Sequence, residues 1–77
     1  MEINDFVACA KAWLIDYVET NTNLKNFKII QLNVANNGVC VFSVRYSWDL
    51  NGWEKNVEKD VYVIYSPEKK TFLTADL

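Results

Sequence analysis

The chain has 77 residues, 51% of them hydrophobic and 14% aromatic, with a net charge of -2 and no block of like charge. That describes one domain with enough apolar side chains to repay chain entropy, and it excludes a disordered chain. Eight basic against ten acidic residues give neither the basic stripe of a nucleic-acid binder nor a dense acidic mimic of nucleic acid, and two cysteines without any histidine fall short of a zinc-ligand set. Met1 leads into Glu2-Ile3-Asn4-Asp5, with no basic region and no long apolar run behind it. This predicts neither a signal peptide nor a transmembrane segment, and so a cytoplasmic location with no membrane contact. Nine asparagines, and seven lysines against one arginine, are the bias of an AT-rich genome such as a phage or a low-GC bacterium.

The first predicted element is a helix. Asn4 or Asp5 is the expected N-cap, with a side-chain oxygen for the free N–H groups of the first turn. At helical spacing Phe6, Val7, Cys9, Ala10, Trp13, Leu14, Tyr17 and Val18 share one broad half of the cylinder, and Asp5, Ala8, Lys11, Ala12, Asp16 and Glu19 the other. Ile15 points toward the polar side. The polar run Thr20-Asn21-Thr22-Asn23 ends the helix, and Asn21 to Asn26 is the one loop of any length.

Four strands follow by alternation. From Phe27 to Ala35, Ile30, Leu32 and Val34 are expected on the core face and Ile29, Gln31 and Asn33 on the other. From Val39 to Asp49 the core set is Cys40, Phe42, Val44, Tyr46 and Trp48. From Trp53 to Tyr65 it is Val57, Val61, Val63 and Tyr65, and Lys70 to Ala75 makes a short last strand. A three-residue loop Asn36-Asn37-Gly38 would pair Ala35 with Val39, Leu32 with Phe42 and Val34 with Cys40, so that core faces core. The alternative two-residue turn Asn37-Gly38 would set Val34 against Val41. The second hairpin turns on Asn51-Gly52, which pairs Leu50 with Trp53, Phe42 with Val61, and Arg45 with Glu58 as a cross-strand ion pair. Lys55 and Lys59 fall on the core face, where their stems can lie on apolar surface with the amine in water.

The helix must cover that core face, because nothing else in the chain is available to do so. The expected fold is therefore α+β, one N-terminal helix on a four-stranded antiparallel meander of order 1-2-3-4, a single domain over residues 1–77. In outline this is similar to the helix-beside-meander arrangement of cystatin-like and PepSY-like domains. Gln31-Leu32-Asn33-Val34-Ala35 loosely resembles the inhibitory hairpin of cystatins, with its glycine displaced, but no diagnostic motif of either family is present.

Catalytic chemistry is not expected. A nucleophilic cysteine needs a base or a cationic neighbour, histidine is missing, and Cys9 and Cys40 both fall at or near the predicted core as reduced, buried thiols. Gly38 and Gly52 are consumed by turns, so no phosphate loop exists, and Asp49-Leu50-Asn51-Gly52-Trp53-Glu54 lacks the spacing of a calcium loop. No cofactor or metal is expected.

Two surfaces remain. Trp48, Leu50 and Trp53 surround the Asn51-Gly52 turn, where large aromatics serve as interface anchors; otherwise Trp48 caps the core and Trp53 packs on Leu50. The outer sheet face has no helix to cover it. There Val39, Val41, Tyr62 and Ile64 gather near Gly38, joined by Phe72 if the last hairpin has a three-residue loop. Asp49, Glu54, Asn56, Glu58, Asp60, Ser43 and Arg45 lie at the other end. An apolar patch beside a mildly acidic field suits a protein partner. The expectation is a non-catalytic protein-binding module or inhibitor, for instance a phage-type protein blocking a host defence or replication enzyme. The alternative is a homodimer or larger homo-oligomer built by packing the open sheet faces.

Overall fold

Apolar side chains recurring every third or fourth residue wind into α1 (Ile3–Asn21). The alternating segments after it form β1 (Lys25–Asn36), β2 (Val39–Leu50), β3 (Trp53–Ser66) and β4 (Thr71–Thr74). The computed structural model describes residues 3–74, with side chains from residue 5 onward. The strands make one antiparallel sheet in the order β1-β2-β3-β4, with α1 on one face, which is the α+β architecture the sequence predicts.

α1 begins at Ile3, so Asn4 and Asp5 lie in its first turn rather than capping it; Asp5 there still complements the positive end of the helix dipole. Carbonyls near its C-terminal end accept from side chains as well as from the backbone, Val18 O taking the Thr22 N–H at 3.2 Å. The Thr22 hydroxyl donates to Val18 O at 2.6 Å and Asn21 Nδ2 to Tyr17 O at 3.2 Å. Ala10, Leu14 and Val18, four residues apart, form the buried seam. They pack on Cys40, Phe42, Val44 and Tyr46 of β2 and Val61 and Val63 of β3. Removing a side chain such as Phe42 from water stabilises the fold by about 1.5–3 kcal/mol.

Cys9 is a correction: it is exposed, not buried. One residue before Ala10, it sits about 100° round the cylinder from the seam, and the sheet covers a narrower sector than the apolar half of the helix.

The β2–β3 hairpin pairs in the predicted register, from Leu50↔Trp53 through Arg45↔Glu58 and Phe42↔Val61 to Cys40↔Val63. The first hairpin does not. It turns on Asn37-Gly38, both at positive φ, and pairs Asn36 with Val39, Ala35 with Cys40 and Val34 with Val41. The predicted Leu32↔Phe42 pair survives because the register shifts between Leu32 and Val34; further shifts fall between Ile29 and Gln31 and between Lys25 and Lys28. Each shift admits an extra residue and reverses the alternation beyond it. The consequence is that Phe27, Ile29 and Ala35 pack against the core, while Ile30 and Val34, expected inside, are exposed. Leu32 stays beside Val7, Lys11 and Phe42 but is still partly in water.

The last hairpin is also corrected. Ser66 pairs with Thr71 and Tyr65 with Phe72, so the loop is Pro67-Glu68-Lys69-Lys70, with Lys70 at positive φ. The longer loop puts Phe72 on the helix side. Its ring centre lies 5.6 Å from Phe6, 5.9 Å from Trp13 and 5.3 Å from Tyr65. Trp13 stacks in turn on Tyr17 at 5.1 Å. This ring cluster ties β4 to α1. The strand end predicted at Ala75 lies outside the described residues.

Candidate protein-binding surface

With β1 in its observed register, the side of the sheet away from α1 becomes continuous. Val34, Val41 and Tyr62 stand side by side across β1, β2 and β3, and Val39, Ile64 and Leu73 do the same across β2, β3 and β4. Tyr62 and Val34 are each 48% exposed, Leu73 43% and Ile64 42%. Val41 was expected in water and is not: it is only 9% exposed, because Val34 and Tyr62 flank it. It forms the floor of the patch. Phe72 leaves this surface for the ring cluster and Leu73 takes its place, since adjacent strand residues point to opposite faces. Alternation alone missed Val34 and Leu73. The signal for both was loop length, two residues at Asn37-Gly38 and four at 67–70.

Beyond the patch the outer face is polar and largely engaged with itself. Asn33 Nδ2 donates to Ser43 Oγ at 2.7 Å and to Asp60 Oδ1 at 3.1 Å, and the Ser43 hydroxyl donates to the same Asp60 oxygen at 2.9 Å. Arg45 donates to Glu58 Oε1 through Nε at 3.1 Å and a terminal nitrogen at 2.5 Å. Toward the Asn51-Gly52 turn, Lys25 Nζ meets Asp49 Oδ2 at 2.5 Å. Hydrogen bonding and charge from Asp49, with a smaller contribution from Glu54, hold the Lys25 amine above its ordinary pKa. Glu58 and Asp60 thus each have one carboxylate oxygen engaged by neighbours in the same sheet, while the Glu58 side chain stays more than half exposed. A buried Ser47 completes the strip, accepting from Asn26 Nδ2 at 3.0 Å and donating to Lys25 O at 3.3 Å.

The aromatic tip is divided. Trp48 packs against the core, opposite Lys55, while Leu50 is 49% and Trp53 78% exposed at the turn. In register with Val44 and Tyr46, Leu50 and its partner Trp53 belong to the helix side of the sheet. They also lie about 30 Å along β2 from Val41. The tip and the outer patch thus occupy opposite faces at opposite ends, and one flat partner does not cover both.

As for chemistry, Cys40 is buried in the core, and desolvation pushes its thiol pKa up, away from the thiolate. Among the described residues no three Cys, Asp or Glu side chains converge as a metal site, and no helix is long and apolar enough to cross a membrane. A shallow depression of about 440 Å³ is lined by mixed side chains, among them Ile30, Gln31, Glu58 and Asp60. Comparisons with protein-family models, curated proteins and solved structures found no match to this chain, so the outline shared with cystatin-like and PepSY-like domains gains no support from them.

Proposed function

We propose that this chain is a small non-catalytic domain that binds another protein through the outer face of its sheet. One observation carries the reading: an apolar patch built from Val34, Val39, Val41, Tyr62, Ile64 and Leu73 crosses all four strands on the face α1 does not cover. Contiguous apolar surface rimmed by polar groups marks an interaction site more than scattered exposed residues do. Tyr62 is the anchor, a large ring at the patch centre with a hydroxyl that tolerates water. Two free thiols fit a reducing compartment, and a cytoplasmic setting is part of the proposal.

The test is Tyr62→Glu, followed by light scattering on a sizing column and by recovery of binding partners. A monomeric wild type whose partner is lost on Tyr62→Glu supports the reading. A wild-type dimer that Tyr62→Glu converts to monomer favours the homo-oligomer instead. Partner binding untouched by Tyr62→Glu refutes the outer face as the working surface.

A further inference from the structure

β2 and β3 pair without a register shift along their whole hairpin, yet β4 pairs only with Val63–Ser66 of β3. Among the described residues, the other edge of β3 from Trp53 to Tyr62 carries no strand. Hairpin geometry says which groups face that edge. A two-residue loop closes on a hydrogen-bonded pair, here Leu50 and Trp53, so the odd-numbered residues of β3 bond β2. The Tyr65 N–H donating to Gly38 O at 2.9 Å shows the same phase at the far end of the strand. Glu54, Asn56 and Glu58 therefore aim their main-chain N–H and C=O groups at the open edge.

The opposite margin of the sheet is built differently. β1 carries three register shifts, a left-handed residue at Asn26, and Lys25 and Lys28. Bulges and edge lysines both obstruct strand addition. β3 has no bulge against β2, and its guard is a pattern of sign. Glu54, Glu58 and Asp60 stand toward the outer face, Lys55 and Lys59 toward the helix face. This pattern rejects a second copy. For antiparallel self-pairing with the faces aligned, a two-fold axis at Val57 sets Lys55 against Lys59 and Glu54 against Asp60. An axis at Asn56 sets Glu54 against Glu58, and one at Glu58 sets that carboxylate against its own copy. Like charges directly opposite destabilise a strand pair.

We propose that the β3 edge from Trp53 to Lys59 accepts, as a fifth strand, an extended segment of a partner protein that alternates cationic side chains toward the outer face and anionic ones toward the helix face. Main-chain hydrogen bonds supply the attachment and the alternating charges supply the choice of segment. The proposal shares with the reading above only the expectation of a protein partner, since it uses the edge and not the apolar face.

The probe is a short synthetic peptide alternating lysine and glutamate, with a block-ordered peptide of the same composition as control. Hydrogen exchange on the intact protein should show the Glu54, Asn56 and Glu58 amides slowing about tenfold or more with the alternating peptide. Lys55 and Val57, already bonded to β2, should change little. Asn56→Pro removes an N–H that faces the edge and leaves the β2 ladder whole; it should weaken peptide binding about tenfold or more. Tyr62→Glu should leave peptide binding unchanged, so failure of the face and failure of the edge are read separately. Unchanged exchange at saturating peptide overturns the proposal, whatever happens to the proline variant's folding. So do equal binding of the block-ordered peptide, loss of peptide binding in Tyr62→Glu, and a wild-type dimer that Asn56→Pro abolishes.

Discussion

Val34 stands directly opposite Val41, with both side chains on the side of the sheet away from α1. That pairing decides which residues of β1 are core and which are surface, and it separates the two kinds of substitution that report on this molecule.

Phe42 is fully buried between α1 and the sheet, so Phe42→Ala should cost about 3–5 kcal/mol. Tyr62→Glu, on the open face, should fall within about ±0.5 kcal/mol. Leu32, 42% exposed despite facing Phe42, should lose only about 1 kcal/mol on change to Ala. Urea unfolding of the three variants checks the order. An unfolded Tyr62→Glu would mean that the outer face is core.

Phe72 joins β4 to α1 through the rings of Phe6 and Trp13, and meets Tyr65 of β3 edge-on. Phe72→Ala should destabilise the domain by about 2 kcal/mol or more, from lost burial plus aromatic pairing. Thr71–Thr74 should exchange its amides well before β2 does. Uniform exchange across all four strands would contradict the anchoring role.

Gly38 has φ +77 and open space where a Cβ would go. Gly38→Ala should therefore be destabilising purely through the backbone, by about 1–2 kcal/mol. Denaturant titration reads the loss, and no loss would argue against the tight Asn37-Gly38 turn.

The two thiols should separate by reagent. Cys9 should react with a thiol-specific disulfide in the native protein at a peptide-like rate, and Cys40 only after unfolding. Burial raises the Cys40 pKa, so the folded state holds that proton more tightly than the unfolded chain does. Its contribution to stability is complete below the ordinary thiol value of 9.0 and falls as pH climbs from there toward the folded value. Equal reactivity of both thiols in native buffer would sink this assignment.

The sequence was most legible where its signals agreed. Asn51-Gly52, a clean alternation from Val39 to Asp49 and the Arg45–Glu58 charge pair all specify one register, and the β2–β3 hairpin adopts it. β1 departs from the expected register because its alternation is interrupted three times. Placing Ile30, Leu32 and Val34 together on the core requires an unbroken strand, whereas the bulges turn Ile29 and Ala35 inward and Val34 outward. Cys9 was misplaced because helical spacing defines an apolar half but not how much of it a sheet covers. Of the outer surface, Val39, Tyr62 and Ile64 were visible from the hairpin register alone. Leu73 depended on the length of a loop whose residues fix no single turn type.

The interruptions along β1 bear on how many molecules can ever meet at this sheet. Ordered aggregates of the cross-strand kind grow because each new member offers a fresh margin for the next, and that requires two usable margins per molecule. Here one margin is broken at three points, while β3 on the other side carries no bulge against β2 and is open from Trp53 to Tyr62 among the described residues. Lateral growth through this sheet is consequently terminal: a joining strand ends the series instead of extending it. A stoichiometry of one to one and a resistance to fibre formation are the outward signs expected of that asymmetry.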